Sequence, residues 1–172
     1  MASGHTGQPR TPAGDDSAAA GQGFWVRHGW KFLLGLVAII GIFGIGDVIR
    51  GLDADPAIPE GVAGLTPDQI RATSPALASL VDLQVRAGGI QLIVISTLWM
   101  VIMLGPFRRG ERWAWYAMWT FPAWSLAVAV MFLFVELQPD VPPPPPAVSG
   151  WIFCGLTALI LIATRRGFAT RR

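Results

Sequence analysis

Four long apolar runs, separated by segments rich in glycine, proline and charge, set the pattern of this chain. The first runs from Trp30 to Ile49, and about 20 helical residues at 1.5 Å each cross the ~30 Å hydrocarbon core of a bilayer. The second runs from Ala87 to Phe107, with Gln91, Ser96 and Thr97 as its polar content and Gly105-Pro106 at its end. The third runs from Arg112 to Val135 and carries Pro122 near its middle, where a missing backbone N–H predicts a kink. The fourth runs from Ala147 to Thr164. The pattern predicts an all-α, four-helix transmembrane bundle with spans at 30–49, 87–107, 112–135 and 147–164.

The segments between the runs have their own signals. Residues 1–23 hold Gly, Ala, Ser, Thr, Pro and Asp without apolar period, and are expected to be a disordered cytoplasmic tail. In the outer loop 50–86, Thr66-Pro67-Asp68-Gln69 matches a capping box with proline at the first helical position, which predicts a short surface helix. Ser74-Pro75 repeats the start signal, and Leu77, Leu80, Val81 and Val85 follow at helical spacing. Helix 2 is therefore expected to begin outside the bilayer. The loop 136–146 is acidic and proline-rich, and Pro142–Pro146 predicts a stiff polyproline spacer. A basic cytoplasmic tail, 167–172, closes the transmembrane domain of residues 24–166.

Composition agrees with the membrane class: 52% of residues are hydrophobic, 14% are charged and the mean hydropathy is +0.49. A pI near 9.3 raises nucleic acid as a partner, but the net charge is only +2 and the cations cluster beside apolar runs. No nucleic-acid partner is expected. Placing the N-terminus in the cytoplasm puts Arg10, Arg27, Lys31, Arg108, Arg109, Arg112, Arg165, Arg166, Arg171 and Arg172 inside, and only Arg50, Arg71 and Arg86 outside. Both termini are thus expected in the cytoplasm, and the chain in the inner (plasma) membrane. The lone Cys154 lies within an apolar run as a small packing residue, so neither a disulfide framework nor a metal site is expected. His5 and His28 read as solvated side chains, and no cofactor is called for.

Candidate chemistry gathers at the outer ends of the helices. Asp47 lies about 24 Å along helix 1 from Lys31, about one turn below the outer interface. A carboxylate there needs a partner, and Arg50 and Arg86 are the candidates. Asp82 shares a helical face with Arg86, and Glu136 ends helix 3 at the same level. Asp47, Arg50, Asp82, Arg86 and Glu136 would line a pocket for a polar head group or supply an acid/base carboxylate. The same five would equally serve as interfacial ion pairs that fix helix register. Trp99, Trp119 and Trp124, with Met100, Met103 and Met118, would line an apolar pocket for a lipid-like ligand or pack in the core. Arg108, Arg109, Arg112, Trp113 and Trp115 read as topology anchors in the interfacial belt, on the bilayer as partner. In helix 1, Gly35, Ala38, Gly41 and Gly44 form a small-residue stripe suited to close helix approach, within the bundle or against another chain.

The string from Phe107 to Trp119, Phe-Arg-Arg-Gly-Glu-Arg-Trp-Ala-Trp-Tyr-Ala-Met-Trp, resembles one in small four-span bacterial membrane proteins of unassigned activity. The stretches around Ser74-Pro75 and Arg86 support the likeness, which covers the four spans and excludes the N-terminal tail. The layout is also similar to four-helix membrane folds such as the DoxX-like and sterol-isomerase-like groups, without a matching catalytic motif, so that likeness concerns fold alone. The first functional expectation is a non-enzymatic subunit or accessory protein of a membrane assembly, meeting a protein partner or a second copy through helix 1. The alternative is a binder or modifier of a hydrophobic small molecule or lipid through the outer polar cluster.

Overall fold

A computed structural model describes residues 14–169, all of whose regular elements are helical. The long helices are α1 (Gly14–Arg50), α4 (Pro75–Ile102), α6 (Thr120–Met131) and α7 (Pro145–Ala169), with the short helices α2 (Ala57–Ala63), α3 (Pro67–Thr73) and α5 (Arg112–Ala117) between them. Four stretches, Arg27–Asp53, Pro75–Phe107, Arg112–Phe134 and Pro145–Phe168, are long and apolar enough to cross a membrane. The chain is a multi-pass membrane protein.

α1 starts at Gly14, inside the stretch expected to be disordered. Ala18, Ala19 and Ala20 favour helix, and extending a helix already nucleated in the span costs little. The remainder of that tail, with His5 and Arg10, lies outside the described residues, as do Arg171 and Arg172. The capping box forms as expected: the Gln69 N–H donates to Thr66 Oγ1 at 3.2 Å and the Thr66 N–H to Gln69 Oε1 at 2.8 Å. Ser74 caps α4, which runs unbroken from Pro75 into the second span.

Two prolines break the ladder in different ways. Pro106 offers no N–H to the carbonyl four residues back, and the helix widens into a π turn over Met103–Phe107. There the Arg108 N–H reaches Met103 O at 3.3 Å and the Glu111 N–H reaches Pro106 O at 3.0 Å. Gly110, at φ 75, completes the reversal in a left-handed conformation that favours glycine. The second break lies at Met118–Trp119, between α5 and α6, one turn ahead of Pro122. Met118 is the residue whose carbonyl the Pro122 N–H would have met, so the disruption appears there. The Trp119 N–H turns instead to Tyr116 O at 3.1 Å, and the Phe121 N–H to Met118 O at 3.1 Å.

The expected polyproline spacer is shorter than its five prolines. Pro142–Pro144 are non-helical, while Pro145 and Pro146 open α7. Proline suits a helix start because the first N–H groups have no intrahelical acceptor and φ is already set.

α1 lies between α4 and α7, and α7 lies between α1 and α6. At the end carrying the Arg108–Glu111 hairpin, large side chains fill the centre: Leu33, Val37 and Ile40 meet Trp99, Met103, Phe107, Met118, Phe121, Ile160, Leu161 and Phe168. Toward the opposite end, small residues bring helix pairs together. A Cβ on Gly44 would come within 2.8 Å of Gly89 O, and one on Gly150 within 2.9 Å of the Ala129 Cβ. Gly41 faces Ser96 in the same α1–α4 seam, so half of the helix 1 stripe is occupied inside the bundle, while Gly35 faces open space. A cap formed by α2, α3 and the proline-rich loop closes the far end. There the Gln138 N–H donates to Gly61 O at 2.9 Å, Pro144 is fully buried against Gly61, and Leu52, Ile70 and Ala78 form a second small core.

Candidate functional site

α1 ends at Arg50 with its last carbonyls short of intrahelical donors, as every helix does. Arg86, reaching from α4, supplies two of them: Nη1 donates to Val48 O at 2.5 Å and to Ile49 O at 3.3 Å. Asp82, one turn earlier on α4, holds the guanidinium by accepting from Nε at 2.7 Å and from Nη2 at 3.4 Å. Its Oδ1 also accepts from the Leu52 N–H at 2.9 Å. Gly51 joins these pieces at φ +56, and a Cβ there would run into Asp82 Oδ1. Asp82 and Arg86 therefore form a clasp that ends helix 1 and ties it to helix 2.

The other members of the expected outer cluster are not drawn into it. Asp47 is half-buried with its Cβ over Gly89, and among the described residues it makes no ion pair. Arg50 and Glu136 are exposed and likewise unpaired among the described residues. Arg86 is not available to Asp47 because Asp82, four residues away on its own helix, already holds it and its outer nitrogen faces the end of α1. The five residues thus form one clasp and three separate charges rather than a single pocket.

A second polar group organises the cap. Arg71 bridges Asp53 at 2.7 Å and Asp68 at 2.9 Å. Its guanidinium is raised above the ordinary arginine value, first by the hydrogen bond to Asp53 and then by that to Asp68, and stays charged at any physiological pH. The Asp68–Arg71 spacing is a visible helical pair, but Asp53 joins across 18 residues and carries no local signal. For the clasp, the glycine directly after the last apolar turn of α1 was the available cue to a helix end.

The deep aromatics fill the core. Trp99 is 2% exposed, stacks on Phe121 at 4.5 Å and meets Trp124 edge-on at 5.7 Å. Its indole N–H donates to Thr120 Oγ1 at 3.0 Å, and these contacts join α4 to α6. Trp119 and Trp124 are half-buried against the same core, and Met103 and Met118 are fully buried. At the hairpin end, the Arg108 guanidinium lies over the Trp30 ring at 4.6 Å. Glu111 accepts from Trp113 Nε1 at 2.7 Å and lies 3.9 Å from Arg109. Trp113 is exposed, as an interfacial anchor should be, whereas Trp115 is half-buried and donates to Leu161 O of α7 at 2.9 Å. Arg112 is exposed. Among the described residues, no group of three His, Cys, Asp or Glu side chains stands close enough to hold a metal ion.

Comparison with known protein families, with curated proteins and with solved structures finds no match to this chain.

Proposed function

We propose that this chain is a non-enzymatic subunit or accessory protein of a membrane assembly, and that α4 offers the face on which a protein neighbour packs. The observation that carries this reading is a stripe on α4. The span Pro75–Phe107 has 33 residues. At 1.5 Å per residue that is about 50 Å of helix against ~30 Å of hydrocarbon, so its first turns stand beyond the acyl chains. Leu77, Leu80, Leu83, Ile90, Val94, Leu98 and Val101 are all exposed along it, with Gln84 and Gln91 exposed among them. Acyl chains account for the deeper residues. Leu77 and Leu80, 50% and 62% exposed, lie on the aqueous stretch, where a protein surface covers apolar groups and lipid does not. An interhelical partner would also give the Gln91 amide hydrogen bonds that hydrocarbon cannot.

The orientation with both termini in the cytoplasm of a bacterial inner membrane belongs to the same proposal. It is supported by Arg27, Lys31, Arg108, Arg109, Arg112, Arg165 and Arg166 at the hairpin end, against Arg50, Arg71 and Arg86 toward the cap. Kinship with small four-span bacterial membrane proteins is likewise proposed, on the hairpin string, and a likeness to the DoxX-like group on the four-helix layout alone.

Native mass spectrometry of the protein taken from its own membrane tests the assembly. A co-purifying protein or a second copy is expected, and Leu77→Glu with Leu80→Glu, both outside the hydrocarbon, should release it without unfolding the chain. A lone monomer in mild detergent with no protein attached would overturn the reading.

A further inference from the structure

At the hairpin end a shallow recess of about 40 Å³ opens between α5 and α7, lined by Arg112, Trp115, Tyr116, Arg165 and Phe168. Its walls are held in place. The Trp115 indole is fixed by its hydrogen bond to Leu161 O and meets Tyr116 edge-on at 5.1 Å, while Phe168 is buried against Phe107 at 4.7 Å. The two arginines come from different spans, and neither forms an ion pair among the described residues. Glu111, next to Arg112 in sequence, is already engaged by Trp113 and Arg109. Two guanidinium groups therefore share one small recess, with no carboxylate among its described lining residues. An anion held there would meet two charge-assisted donors at once.

The recess lies where one span begins and another ends, which is the level of lipid phosphates. Guanidinium forks match phosphate oxygens in a bidentate way, and the exposed ring of Tyr116 offers a flat, amphipathic surface beside them. We propose that this recess binds a phosphate group, delivered as the headgroup of an anionic phospholipid. The site is at the opposite end of the bundle from the Asp82–Arg86 clasp and does not depend on the assembly proposed above.

The test is lipid retention by the full chain in native mass spectrometry, after exchange from nanodiscs of phosphatidylglycerol or of phosphatidylcholine. The wild-type protein should keep phosphatidylglycerol about tenfold better, within the roughly thirtyfold that two interfacial arginines at about fivefold each allow. R112Q/R165Q should lose the preference, whereas R108Q, whose guanidinium lies over Trp30, should keep it. If millimolar inorganic phosphate abolishes the preference, the recess still holds a phosphate group, but a free one. An unchanged preference in R112Q/R165Q, or an equal loss in R108Q, overturns the proposal. Should the double variant fail to fold, R112Q and R165Q singly decide, and retention unaffected by either overturns it as well.

Discussion

The Arg86 guanidinium of helix 2 donates to the Val48 carbonyl of helix 1 at 2.5 Å, so one helix is capped by a side chain from the next. Backbone carbonyls near a bilayer have few other donors. Asp82 holds the arginine in the geometry that reaches them.

Arg86→Ala should therefore lower the thermal unfolding temperature in detergent more than Arg86→Lys does. Lysine restores a charge near the carbonyls but cannot span Asp82 and two carbonyls at once. Asp82→Asn should fall between the two, because it still accepts from the Leu52 N–H. Gly51→Ala should cost more than about 1 kcal/mol, since its left-handed φ and the Asp82 carboxylate both exclude a Cβ.

The α1–α4 seam rests on two glycines that face each other's carbonyls. A Cβ on Gly89 would lie 2.7 Å from both Gly44 O and the Asp47 Cβ. Gly44→Ala and Gly89→Ala should each destabilise the fold by about 1–3 kcal/mol, because backbone rather than a flexible side chain must yield. Gly35→Ala, which faces open space, should be close to neutral in the same unfolding measurement.

Trp99 joins α4 to α6 through stacking and one hydrogen bond. Trp99→Ala should cost about 3–5 kcal/mol from the cavity it leaves. Thr120→Val should cost about 1–3 kcal/mol by leaving the indole N–H without its acceptor. A red-shift of tryptophan emission on Trp99→Ala would not be expected if Trp124 stays packed; a large one would show that the α4–α6 joint depends on this single ring.

Pro122→Ala returns an N–H opposite the Met118 carbonyl. The amide at position 122 should then exchange slowly with solvent, and α5 and α6 should run together as one helix. Fast exchange at that position would mean that packing of Met118 and Trp119, not the proline, holds the break open.

Orientation can be read with single cysteines once Cys154 is replaced by serine. A membrane-impermeant thiol reagent added to intact cells should label Gln138→Cys in the cap and spare Arg109→Cys in the hairpin. The reverse pattern would invert the proposed topology.

Much of the fold was legible because bilayer physics acts on composition and length. An apolar run of about 20 residues has few alternatives to a spanning helix, and Thr66, Ser74 and Gly105-Pro106 mark their boundaries by local chemistry. The refinements were equally local. The break falls one turn ahead of Pro122, where the Met118 carbonyl takes the Phe121 N–H in place of the missing one, and the last two of five prolines start a helix instead of continuing a spacer.

What the sequence by itself determined, then, was the helical class, the number of apolar spans, the capped starts of α3 and α4 and the Asp82–Arg86 pair, since each depends on residues within a turn or two of one another. Only the tertiary structure decided that Arg86 serves Val48 instead of Asp47, that Gly44 meets Gly89, that Trp99 is core, and that Arg112 and Arg165 share a recess. These depend on which helices become neighbours and at what register, and that is set by side-chain volume and backbone approach between segments far apart in the chain.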